Sequence, residues 1–107
     1  MLIVCREEST VIHNLPVRAH EDILRLAAKY HVENVILFGS RATGRHWERS
    51  DIDLAVQGGN TVEFALAADE EIRTLLFIDV VNLNKRVQPE LLSSIRREGV
   101  VLVGQLP

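Results

Sequence analysis

At 107 residues, 47% of them apolar, the chain has the material for a single folded unit over residues 1–107, one that buries about 60–70% of its unfolded surface. Its 15 Asp and Glu outnumber its 12 Lys and Arg, and a net charge of −3 argues against a sequence-independent grip on nucleic acid, which needs many cationic contacts to phosphate. A lone cysteine, Cys5, excludes an internal disulfide, and no run approaches the ~20 apolar residues of a bilayer span, so the sequence reads as a cytoplasmic protein without a membrane partner.

Residues 1–15 hold a short apolar run, Leu2-Ile3-Val4-Cys5, and then polar residues, a pattern expected of an edge strand or an arm facing a partner. From Val17 to about Tyr30, the apolar residues Ile23, Leu24, Ala27 and Tyr30 recur at helical spacing behind Pro16, which a helix start tolerates. Val35-Ile36-Leu37-Phe38 reads as a buried strand that stops at Gly39, where the missing side chain permits a sharp turn and close approach to a ligand. Ser40 is expected to cap a short helical turn through Arg41, Ala42 and Thr43, offering N–H groups and a hydroxyl to phosphate oxygens.

Asp51-Ile52-Asp53-Leu54-Ala55-Val56 alternates, which sets Asp51 and Asp53 on one face of a strand and Ile52, Leu54 and Val56 on the other. Two carboxylates about 6–7 Å apart repel unless a cation lies between them, and a set of oxygen ligands favours magnesium. Gly58-Gly59-Asn60 breaks the strand, and Asn60 with Glu63 resembles a helix cap. The helix that follows is expected to reach about Leu76, with Val62, Ala65, Ala68, Ile72 and Leu75 inward and Asp69 paired with Arg73. Asp69-Glu70-Glu71 reads as a solvated face.

Phe77-Ile78-Asp79-Val80-Val81-Asn82-Leu83 is apolar enough that Asp79, if buried, needs a cation or a hydrogen-bonded cluster. Were this strand to lie beside the Asp51–Asp53 strand, the three carboxylates would meet at one end of a sheet and suit two metal ions about 3.5–4 Å apart. Pro89 opens a third helix that ends at Gly99, expected in the left-handed conformation, and Val100–Val103 forms a last strand. The alternation of helices and strands predicts an α/β fold, a mixed sheet of about four strands flanked by helices. Trp47 suits either stacking on a base or closing a core edge, and the scattered His13, His20, His31 and His46 lack the spacing of a zinc site.

Gly39-Ser40, Asp51-Ile52-Asp53 and Asp79, within Leu37-Phe38-Gly39-Ser40-Arg41-Ala42-Thr43-Gly44 and Ser50-Asp51-Ile52-Asp53-Leu54, resemble the minimal nucleotidyltransferase family, whose fold is that of the palm of DNA polymerase beta. The likeness extends over roughly residues 20 to 103. It implies catalytic, metal-binding roles for Asp51, Asp53 and Asp79, two magnesium ions, and ATP held through Gly39, Ser40, Arg41 and Arg45. It also implies an acceptor outside the chain, a tyrosine of a helical HEPN-type toxin that receives AMP, with this chain as the antitoxin. Thr43 departs from the family, where arginine is common, as does His46-Trp47-Glu48-Arg49, where a segment with proline is usual; Arg41 and Arg45 are then the cations left for the triphosphate. Two other functions fit the same residues: a module that neutralises its partner by covering it, without catalysis, and transfer to a small molecule.

Overall fold

Val35, Ile36 and Leu37 are all fully buried, so the strand they form is covered on both faces and has to run through the middle of a layered structure. In the computed structural model, which describes residues 11, 12 and 14–107, the elements in chain order are β1 (Val11–Ile12), β2 (Leu15–Pro16), α1 (Val17–Lys29), β3 (Asn34–Phe38), α2 (Ser40–Thr43), β4 (Ile52–Gln57), α3 (Thr61–Glu71), β5 (Ile78–Asn82), α4 (Pro89–Glu98) and β6 (Val100–Val103). The main sheet has the order β5-β4-β3-β6. β3 runs antiparallel to β4 and β6, whereas β4 and β5 are parallel, as the crossover through α3 requires. The expected mixed four-stranded sheet flanked by helices is what forms.

Two layers of helix enclose it. Ala19, Ile23, Leu26 and Ala27 of α1 and Phe64, Ala67 and Ala68 of α3 pack with Val35, Leu37, Ile52, Leu54 and Val56 into the larger core. On the opposite face Ile95 of α4 covers Ile36 and Ala55. The alternating side chains of β3 and β4 thus feed both cores, and each fully buried Leu, Ile or Phe stabilises the fold by about 1.5–3 kcal/mol.

Four expectations need correction. α3 stops at Glu71 rather than near Leu76, and its buried positions are Thr61, Phe64, Ala67 and Ala68, while Val62 is exposed and Leu75 lies beyond the helix, fully in water. The cause is Asp22 on α1: its carboxylate accepts the backbone N–H of Arg73 at 2.8 Å and the Arg73 Nε at 2.9 Å, which draws the chain out of helical register. Arg73 therefore pairs with Asp22 rather than with Asp69. Gly99 is extended, with φ of −69° and ψ of 148°, and leads directly into β6. Asn60 does cap α3, accepting from the Glu63 N–H at 3.5 Å.

The start of the chain enters as a two-residue hairpin, β1 against β2, through Asn14 at φ 62°, and Leu15 is buried in the larger core. Cys5 and the rest of residues 1–10, with His13, lie outside the described residues.

Candidate active site

Register brings the acidic residues together. Phe38, the last residue of β3, pairs with Asp53 on β4, and Asp53 pairs with Asp79 on β5. Gly39-Ser40, Asp53 and Asp79 therefore line one end of three adjacent strands, each about 4.8 Å from the next. Asp51 precedes β4 by one residue at the same end and is exposed. Asp79 is exposed too, on an edge strand, so it needs no buried partner; this corrects the expectation built on its apolar neighbours.

Asp53 is the strained member. Half-buried, it has its carboxyl pushed above the ordinary carboxylate range by burial first, then by the charges of Asp79 and Asp51. Its side chain lies against Gly39, where φ is 79° and any Cβ would collide with the Asp53 carboxylate. Glycine is required there on both counts.

Ser40 is the first residue of α2, with Gly39 at the cap position and no side-chain capping bond, so its hydroxyl is not used as the helix cap expected of it. Ala42 and Thr43 both donate N–H to the Gly39 carbonyl, at 3.1 and 3.3 Å. The Thr43 hydroxyl donates to the Ser40 carbonyl at 3.3 Å and accepts from Arg45 Nε at 3.1 Å. The residue that departs from the family pattern thereby tethers an exposed arginine beside the turn.

Arg41 occupies a different place from the one expected of it. It is buried, and its guanidinium donates to the carbonyls of Ser50 at 2.9 Å, Glu48 at 2.9 Å and Asn14 at 2.6 Å. Asn14 returns a bond from Nδ2 to the Arg41 carbonyl at 2.7 Å. Burial lowers the Arg41 pKa, and the group is engaged in closing the loop between the two halves of the motif. The same loop carries Trp47, 64% exposed, whose N–H donates to the Ser50 Oγ at 3.0 Å. Trp47 thus closes no core edge.

A second feature escaped the sequence reading. The break after α3 leaves Leu75 and Phe77 exposed, and with Leu76 and Arg49 they line a cleft of about 400 Å³. Ile52 donates its N–H to the Phe77 carbonyl at 2.9 Å, which ties this cleft to the starts of β4 and β5. The signal was present only as Arg73 and Asp22, 51 residues apart.

Asp51, Asp53 and Asp79 offer oxygen donors only, a chemistry that would suit magnesium. No three His, Cys, Asp or Glu side chains among the described residues are gathered closely enough to hold a metal ion.

A glycine turn thus stands beside carboxylates at one end of a mixed sheet. Residues 21–106 match the family described as polymerase beta, nucleotidyltransferase, and the chain belongs to that family. Among solved structures it is similar to a toxin–antitoxin crystal structure with AMP-PNP, at 24% identity and a TM-score of 0.61, covering 80% of this chain and 73% of that one. It is also similar to the toxin–antitoxin MntA-HepT, at 21% identity and a TM-score of 0.58, covering 81% of this chain and 71% of that one. At these identities the likeness establishes the fold. No curated protein matches the chain.

Proposed function

We propose that this nucleotidyltransferase is magnesium-dependent and moves AMP from ATP to a hydroxyl of a partner protein, a tyrosine of a helical HEPN-type toxin, and thereby acts as an antitoxin. The observation that carries the reading is the pairing of Asp53 with Asp79, one strand from Gly39-Ser40. It is supported by the likeness in fold to toxin–antitoxin assemblies, one of them holding AMP-PNP.

Magnesium held by Asp51, Asp53 and Asp79 would supply Lewis acidity to the phosphates and to the acceptor hydroxyl. The Ser40 hydroxyl and the N–H groups after Gly39 hold the β- and γ-phosphates. Arg45, placed by Thr43, offsets charge on the leaving pyrophosphate, the role that Arg41 is not free to share. Asp79 stands on an edge strand. The acceptor oxygen bonds to the α-phosphorus as the bond from that phosphorus to the bridging oxygen breaks; the hydroxyl proton goes to solvent and pyrophosphate leaves. Positioning and charge neutralisation account for the rate.

Incubating the partner with ATP and magnesium and weighing it intact tests the reading. The expected product is heavier by one adenylyl group; an unchanged mass under conditions where the complex forms contradicts transfer. A second reading, neutralisation by occlusion, draws on the spacing of the carboxylates, no three of which among the described residues are gathered closely enough to hold a cation. Asp51→Asn with Asp53→Asn separates the two: loss of neutralisation with binding intact supports chemistry, and full neutralisation supports occlusion.

A further inference from the structure

We propose that the chain carries a second anion site, for a small phosphate-bearing molecule, at the end of the sheet opposite the aspartates. β4 and β5 run parallel, so the strand starts that bear Asp53 and Asp79 and the strand ends at Gln57 and Asn82 lie at opposite edges of the domain. At that far end a cleft of about 460 Å³, a volume within the range of small-ligand sites, is lined by Lys85, Arg86 and Arg96 with no acidic residue.

Charge comes first. Lys85, Arg86 and Arg96 line one hollow and make no ion pair with Asp or Glu among the described residues. Three cations around one hollow repel one another until an anion arrives, and a single carboxylate would offset only one of them. A group with several negative oxygens in a small volume answers all three, which is the property of a polyphosphate.

The second argument is that the cleft is held in shape before any ligand enters. Asn84 accepts from the Gly58 N–H at 2.8 Å and donates to the Thr61 hydroxyl at 3.1 Å. Leu83 donates its N–H to the Val56 carbonyl at 2.7 Å, and Lys85 donates its N–H to the Asn82 carbonyl at 3.2 Å. Across the cleft, Arg96 Nε donates to the Pro107 main-chain oxygen at 3.0 Å, which steadies the arginine. Leu83, Val87 and Leu92 complete the lining and offer an apolar surface to an uncharged part of the ligand. With no aromatic side chain in the lining, the cleft lacks the stacking platform of a single-stranded nucleic-acid site.

The test uses the whole chain with Ser40→Ala, Arg45→Gln and Asp53→Asn, in EDTA, so that the side chains proposed to hold phosphates and metal at the acidic end are removed. Sodium tripolyphosphate, ADP and a poly-glutamate peptide are titrated separately by calorimetry and by backbone amide shifts. Saturable binding of tripolyphosphate or ADP, with shifts centred on residues 83–87 and on Arg96, is the expected result. Tighter binding of ADP assigns the apolar surface to a nucleoside; equal binding assigns the site to the phosphates alone. Lys85→Ala with Arg86→Ala, both exposed positions, should weaken binding about tenfold or more with the near-ultraviolet spectrum unchanged. Arg96→Gln should weaken it as well. Failure of both phosphate probes to bind, shifts elsewhere, or poly-glutamate binding as tightly as tripolyphosphate would overturn the proposal.

Discussion

Asp22 and Asp53 are both drawn out of water, and their surroundings push them in opposite directions. Asp22 is 2% exposed, and the side-chain hydrogen bonds of Arg73, with its backbone N–H and with Arg25, hold its carboxyl below the ordinary range despite burial. Asp53 has no cation among its causes, only burial and two more carboxylates, and is raised. One carboxylate is answered within the fold; the other has only like charges for company. The pair shows how two acids of the same type are told apart by their surroundings.

The largest test of that contrast is Asp53→Asn. Transfer should fall by about a hundred- to a thousandfold, as measured by the rate of adenylyl gain on the partner, because the substitution removes a carboxylate proposed to hold the cation that would offset charge on the reacting phosphate. The same change should raise the melting temperature of the metal-free protein at neutral pH, since it removes a repelling charge. Asp22→Ala should do the reverse. It leaves transfer chemistry in place but should lower stability in denaturant unfolding, because the Arg73 N–H and guanidinium lose the buried acceptor that ties α1 to the end of α3.

The pH dependence follows from the same two directions. For Asp22 the folded pKa is lowered, so its contribution is present above the ordinary value of 3.8 and is lost as pH falls through the lower folded value. For Asp53 the folded pKa is raised, so its contribution is full below 3.8 and is lost as pH rises through the higher folded value. Melting curves in EDTA should therefore lose their acid limb in part with Asp22→Asn and their slope above pH 3.8 in part with Asp53→Asn. Swapped behaviour would break the comparison.

Arg41 and Arg45 repeat the contrast among cations on a smaller scale. Arg41→Gln should lower stability and loosen the loop, because three carbonyls lose a charged donor. Arg45→Gln, at an exposed position, should leave the melting temperature unchanged and lower kcat/KM for ATP. Equal effects of both on kcat/KM, with stability unchanged, would show that Arg41 reaches the triphosphate after all.

What could be read from the residues alone followed from local rules. Pro16 and Pro89 mark helix starts, Asn60 marks a cap, and the alternation from Ile52 to Val56 fixes which side chains face the core. The spacing of Gly39-Ser40 and Asp51–Asp53 was legible because a turn and a strand each have a fixed period. The end of α3 was not, since it depends on a carboxylate 51 residues away that captures one N–H. Arg41 misled for a related reason. An arginine in a phosphate-binding motif has the same appearance in sequence whether it faces a ligand or, as here, turns inward to three carbonyls.

The central claim is that Asp51, Asp53 and Asp79 form one cation-dependent site around a carboxylate that the fold leaves unanswered. Thermal unfolding at neutral pH with increasing magnesium, on wild type and on Asp53→Asn, tests it most directly. The account predicts that magnesium raises the melting temperature of the wild-type chain, further with ATP present, and leaves Asp53→Asn unmoved by the metal alone. Equal shifts in the two proteins, or none in the wild type, would contradict it.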